Sequence, residues 1–281
     1  LLFARVPTGL SDPLLYHGFG IRIASGRGYM SLGEHLTSYY PPGYPLALGG
    51  AVWLARAVLP GTVSAFDVAV WLNVGLSVAT IGLVFVLGRR LAGPAVGLVA
   101  AGIWALWPNL VFHSGIVLTE TLFLFLLVLL LIVLLGDRER AEAPGVARLV
   151  TVGVLFGLVL LVRPVSAVIA PFLLLLWWGR GARAALWRLG VVLAAAVVVL
   201  VPWSIRSTIV MDEPVALSLN FGDNLCLGHN PGATGGFGDL PGGHRGAVLA
   251  QKGKGDLDER RAPLLGAEGG GTGSHRTTLN E

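Results

Sequence analysis

Apolar residues along this chain are gathered into long blocks, such as Thr119 to Leu135 and Val191 to Val201, with short polar breaks between them. A helix needs about 20 mostly apolar residues to cross the hydrocarbon of a bilayer, and several blocks meet or approach that length. The pattern predicts six spanning helices, over residues 66–87, 92–107, 116–135, 146–162, 165–178 and 189–205. Residues 46–59 are apolar but short, which predicts an interfacial or re-entrant segment, with a tilted span as the alternative. Ahead of them, Asp12-Pro13 followed by Leu15, Phe19 and Ile23 predicts a helix capped by Asp12, closed by Gly26 and carrying one apolar stripe. Such a helix lies on a membrane surface. Tyr40-Pro41-Pro42-Gly43-Tyr44-Pro45 is stiff, because three prolines fix φ and remove donors, and it joins that helix to the next apolar segment.

After Pro202-Trp203 the chain turns to Gly, Asn, Asp and Pro, and beyond Pro241 it has little apolar periodicity. Four zones result: an outer loop with interfacial helices at 1–65, a membrane bundle at 66–205, an outer segment at 206–240, and a disordered or aberrant tail at 241–281. The fold class expected is an all-α integral membrane protein. No internal repeat of solenoid type is present. The tail is unlike the rest, as a frameshift or a truncated gene would leave it. The first residues carry neither an initiator methionine nor a signal peptide, as expected of a chain that begins inside a longer protein.

Composition supports this picture: of 281 residues, 54% are hydrophobic and only 13% charged, whereas soluble domains carry about a quarter charged residues. A formal charge of +4 could point to nucleic acid, but the arginines sit at the ends of apolar blocks rather than on one polar face. Alternate connections hold Arg89 and Arg90, then Arg138, Arg140 and Arg148, then Arg180, Arg183 and Arg188. The intervening ones hold the Trp107 to Ser114 stretch, without Lys or Arg, and the Arg163-Pro164 corner. Cytoplasmic loops retain Lys and Arg, so the Asp12 region and everything after Arg206 are expected outside the plasma membrane. Cys226 is the single cysteine and has no companion for a disulfide or a metal site.

Glu120 begins a long apolar span, where an ionised side chain is costly unless it faces a polar cavity or a partner. Its plainer role is a first-turn carboxylate favoured by the helix dipole. Asn220 to Gly236, with Asn224 and Asn230, could present amides and backbone to sugar hydroxyls, or be only a series of turns. His229, Asp223, Asp239 and His244 match no standard metal spacing, and no metal or other cofactor is expected.

Ser11-Asp12-Pro13 with Tyr16, Gly26-Arg27-Gly28-Tyr29, Tyr40-Pro-Pro-Gly-Tyr-Pro45 and Leu118-Thr119-Glu120 stand in this order along the chain. In that order they resemble the GT-C superfamily of glycosyltransferases, specifically the protein O-mannosyltransferases and bacterial aminoarabinose transferases that use polyprenyl-phosphate sugars. Asn220 to Leu225 and Gly228 to Gly236 resemble a later outer segment of bacterial members, so the resemblance runs from about Ser11 to Leu240. It implies a multi-pass helical bundle with an outer-facing first loop, and sugar transfer with inversion to a lipid, glycan or protein acceptor. The partners implied are the bilayer and the polyprenyl-phosphate sugar as donor substrate.

Asp12 matches the family's first-loop carboxylate, which would accept or orient the acceptor's proton; a helix N-cap is the alternative role. Pro13 stands where many relatives carry a second acid, which speaks against a two-carboxylate mechanism. The departing phosphate calls for cations, with Arg163 the best placed and Arg206 next, although either could simply snorkel to the interface. Tyr44, inside the proline-rich stretch, is the remaining candidate for substrate contact. A transporter or flippase of a lipid-linked substrate is the second functional class, and a truncated remnant without catalysis the third.

Overall fold

The computed structural model describes residues 12–31, 34–61, 63–136, 144–179, 181–220 and 229. Among these the chain is largely helical, with an isolated bridge between Met30 and Leu36 and no strand. The elements are α1 (Asp12–Ala24), α2 (Gly43–Val58), α3 (Ala65–Ala92), α4 (Pro94–Leu106), α5 (Pro108–Ser114), α6 (Glu120–Leu135) and α7 (Val146–Val162). A 3-10 turn at Pro164–Val168 then leads to α8 (Ile169–Trp178) and α9 (Ala182–Met211). Asn224, Asn230 and the tail at 241–281 lie outside the described residues.

Local chemistry sets most boundaries. The end of α1 is closed by Gly26 at φ 74°, with Arg27 N–H donating to Arg22 and Gly26 N–H to Ile23, the paired bonds of a Schellman turn. Ser64 caps α3 by accepting from the Asp67 N–H at 3.1 Å, and Gly93 at φ 93° with Pro94 behind it turns the chain into α4.

Four expectations need correction. Asp12 is a helical residue of α1 rather than its cap, and its carboxylate accepts from a side chain, the Tyr40 hydroxyl, at 3.1 Å. The block at 92–107 continues into α5 through a 62° bend at Trp107-Pro108, because proline cannot supply the backbone donor that a straight helix needs there. Helix α6 starts at Glu120, not at 116, since Asn73 Nδ2 donates to the Ile116 carbonyl at 2.6 Å and holds that stretch open. Helix α9 is far longer than 189–205: Arg183 and Arg188 lie in its first turns instead of in a connection, and Arg206 lies near its end.

Helices α3, with 28 residues, and α9, with 30, are long and apolar enough to cross a membrane, and α4 with α5 makes a third if the bent pair counts as one span. At 1.5 Å per residue α3 and α9 run about 42 and 45 Å. The remaining apolar helices, α6, α7 and the Pro164–Trp178 segment, have 10–17 residues. Large apolar side chains face outward along the long elements, among them Trp71 at 70% exposure and Leu106 at 81%. Water would penalise such a surface and lipid would not.

Glycines set the closest packing. A Cβ on Gly153 would meet Val192 and Ala195, and one on Gly157 would meet Ala196 and Val199, so α7 and α9 run parallel with backbones in near contact. Gly88 and Gly97 likewise bring the backbones of α3 and α4, which run antiparallel across the Gly93 turn, into near contact. The bonds Asn73 to Ile116 and Arg90 to Ile132 make α3 and α6 parallel, while Arg148 to Val133 and Arg163 to Glu120 make α6 and α7 antiparallel.

The bundle therefore has two chemically distinct ends. One gathers α1, the Tyr29 to Tyr40 loop, the starts of α3 and α6 and the ends of α7 and α9. It holds all the described acids, Asp12, Glu34, Asp67, Glu120, Asp212 and Glu213. The opposite end holds Arg89, Arg90, Arg148, Arg183 and Arg188 and, among the described residues, no acid.

Candidate functional site

At the acid-bearing end, α1, the proline-rich stretch and the facing ends of α6 and α7 come together around Tyr16. Helix α1 presents Asp12 and Tyr16 one turn apart, on the same face. The proline-rich stretch brings Tyr40 and Tyr44 edge-on to Tyr16, with centroids 5.4 and 5.9 Å away. Its close approach depends on Gly43, where a Cβ would fall 2.8 Å from the Leu161 carbonyl at the end of α7. That contact lies two residues before Arg163, so glycine and arginine together dock the loop on the bundle.

Arg163 reaches across to α6. Its Nη2 donates to Glu120 Oε1 at 2.6 Å and its Nε to Thr119 Oγ1 at 3.2 Å, with the guanidinium 5.4 Å from the Phe123 ring. Both partners remain partly open, Arg163 at 36% and Glu120 at 27% side-chain exposure, so the pair is accessible rather than sealed. A partly solvated pair of this kind contributes little to stability, about 0–1 kcal/mol, and its geometry is more informative than its strength. Ser166, one turn beyond Arg163, has a buried hydroxyl without a hydrogen-bond partner.

Electrostatics ties the parts together. Burial pushes the Tyr16 hydroxyl well above the ordinary tyrosine range, and the charges of Asp12 and then Glu120 push it further, against a smaller opposing pull from Arg163. Tyr40 is likewise raised, first by burial and then by the charge of Asp12 and the hydrogen bond to it. Both tyrosines are therefore held neutral, and Tyr40 donates to Asp12 Oδ1.

Of the residues expected from sequence, Asp12, Glu120 and Arg163 are brought into this one field. Tyr44 is fully buried, and its hydroxyl donates to Asn73 Oδ1 at 3.1 Å, so it braces the site from behind. Arg206 is turned inward: Nη1 donates to the Thr37 carbonyl at 2.5 Å and to Ser38 Oγ at 3.0 Å, and Nη2 to the Tyr29 carbonyl at 2.8 Å. Its guanidinium also lies over the Trp203 and Tyr29 rings, so this arginine anchors the loop. Asn224 and Asn230 fall outside the described residues.

Tyr16, Tyr40 and Thr119 stood in the motifs read from the sequence without a site role of their own, and Asn73 was not singled out at all. A lone amide within an apolar block is the signal that could have found Asn73, since a polar side chain at such a depth needs a partner. Beside the cluster, Ser77, Thr80, Trp104, His113 and Thr121 line a small recess between α3, α4, α5 and α6, and the buried Nδ1 of His113 has no hydrogen-bond partner. Among the described residues no three His, Cys, Asp or Glu side chains converge as metal ligands would. The cluster combines a carboxylate, a partly open carboxylate–guanidinium pair and neutral tyrosine hydroxyls. Comparison with protein families, with curated proteins and with solved structures finds no match to this chain.

Proposed function

We propose that this chain is a multi-pass membrane glycosyltransferase of the GT-C type. It takes a sugar from a polyprenyl-phosphate carrier and passes it, with inversion, to a lipid, glycan or protein acceptor at the outer face of the plasma membrane. The supporting observation is that Asp12, bonded to Tyr40, and the Glu120–Arg163 pair lie close enough to Tyr16 to act on it electrostatically, at the end of the bundle away from the arginine-rich end. Cytoplasmic ends retain arginine, so the convergent end faces outward.

In this mechanism Asp12 Oδ2 takes the proton of an acceptor hydroxyl as its oxygen attacks the anomeric carbon, while Tyr40 fixes the carboxylate through Oδ1. The carbon–oxygen bond to phosphate breaks, and the electron pair leaves on the carrier phosphate. Arg163 meets that growing charge with the edge of its fork not used by Glu120, and Glu120 keeps the guanidinium at the correct angle.

Sugar transfer in membranes containing the chain, with a radiolabelled polyprenyl-phosphate sugar pool, tests this directly. Wild type should transfer label and Asp12→Asn at matched expression should lose at least about a hundredfold, the range for a general base. Equal transfer by the two proteins would remove Asp12 from the chemistry.

One observation favours a second reading, a transporter of a lipid-linked substrate: the 62° break between α4 and α5 is the type of interruption that carrier helices show. Movement of the labelled lipid across the bilayer without transfer to any acceptor would select it.

A further inference from the structure

We propose that the arginine-rich end of the bundle binds the phosphate of an anionic phospholipid against Arg188, in the seam where α7 and α9 begin. This concerns the end remote from Asp12 and stands whether or not the chain transfers sugar.

The residue itself makes the case. Arg188 is only 6% exposed, and its Nη1 is enclosed without a hydrogen-bond partner. A guanidinium taken out of water without a counter-charge is among the costlier features a fold can carry, and none of the described acids lies at this end. The other arginines nearby have different tasks. Arg90 Nη1 donates to the Ile132 carbonyl at 3.3 Å and Arg148 Nε to the Val133 carbonyl at 3.0 Å, so both neutralise the C-terminal carbonyls of α6. Arg188 serves no carbonyl of that kind.

Its surroundings favour an anion. The glycine contacts of α7 with α9 put Arg188 one turn before Val192, level with the first turns of α7. Both helices start at this end behind a glycine with no side-chain cap, Gly145 and Gly181, so two sets of unused N–H groups and two positive dipole ends face the same way. A helical side chain leans toward the start of its helix, which carries the Arg188 stem toward those termini.

Depth identifies the anion as a lipid headgroup. Trp178 at the end of α8 and Trp187 in the first turns of α9 are 52% and 54% exposed at this same end. Exposed tryptophans on apolar helices mark the headgroup level of a bilayer, and Arg188 follows Trp187 directly. A phosphodiester at that depth, with its acyl chains along the outward apolar side of α9, neutralises the guanidinium without leaving the membrane.

The test uses the whole chain in mild detergent, with bound lipid counted by native mass spectrometry during titration with dioleoylphosphatidylglycerol or dioleoylphosphatidylcholine. Wild type should retain phosphatidylglycerol in preference to phosphatidylcholine. Arg188→Met should bind it about tenfold more weakly, the size of one charge-assisted hydrogen bond, while Arg89→Gln at the same end stays within about twofold of wild type. Replacing a buried charge by an apolar side chain of similar volume is commonly tolerated. Arg188→Lys, which keeps the charge but not the fork, gives a second reading with an intermediate affinity expected.

Unchanged retention by both variants would overturn the proposal. So would displacement of the lipid by millimolar inorganic phosphate, which would make the site one for free phosphate. Asp137, Glu139 and Glu142 are the nearest acids in sequence to the start of α7. If the Arg188 dependence appears only after these three are neutralised, the counter-charge is internal and the lipid site does not exist.

Discussion

At the scale of single residues, the tyrosines of the first loop carry a measurable signature. Tyr16, Tyr29 and Tyr40 all have hydroxyls raised above the ordinary range, in each case chiefly by burial. Tyrosine ionises near pH 10 when unperturbed. Above that value an unfolded chain releases protons that the folded chain keeps, so stability is full below about pH 10 and falls as pH rises further. Titration at 295 nm should find at least three of the five tyrosines still neutral at about pH 11 in the folded protein, and all five ionised in denaturant. Five phenolates in the folded state would mean that the Tyr16 cluster is open to solvent. The sequence already singled out Asp12, Glu120 and Arg163 as charges in awkward places, because an ionised group next to apolar blocks has few neutral explanations. Tyr16 and Tyr40 were visible as motif residues but their roles were not, since nothing in the sequence shows that the Tyr40 hydroxyl meets Asp12 across 28 residues.

At the scale of elements, close backbone contact is the main device. Gly157→Leu should cost about 1–3 kcal/mol, because the new side chain enters the α7–α9 seam at Ala196 and Val199, where neither backbone can retreat. Gly102→Leu on α4 is the matched control: nothing lies within 4 Å of its Cβ position, so helix propensity alone should make it neutral or slightly stabilising. Thermal unfolding of both variants in detergent decides the point, and equal behaviour would show that the seam is loose. Helix α7 was legible to the residue, since one apolar block between Gly145 and Arg163-Pro164 leaves no freedom at either end. The first turns of α9 were not. Arg183 and Arg188 resemble a polar connection when hydropathy is averaged, yet arginine is a good helix former and its long stem packs on apolar neighbours. The α4–α5 break was written in Pro108, whose ring disfavours the helical conformation in the residue before it.

At the scale of the whole molecule, the separation of acids from arginines makes a prediction about sidedness. In inside-out and right-side-out vesicles, with Cys226 first replaced by serine, a cysteine at Glu34 and one at Arg183 should react with a membrane-impermeant maleimide from opposite sides, Glu34→Cys from outside. Labelling of both from one side would end the spanning arrangement.

Arg206 adds a dimension of time. It grips Thr37 and Ser38 from 169 and 168 residues further along the chain. Ribosomes add about 5–20 residues per second, so the first loop waits on the order of ten to thirty seconds after its own synthesis before this clasp exists. During that interval the Thr37 carbonyl lacks its Arg206 donor. The acid-bearing end is thus the last part of the bundle to be completed, and a nascent chain stopped before the end of α9 would insert its helices yet never receive the Arg206 clasp on its first loop.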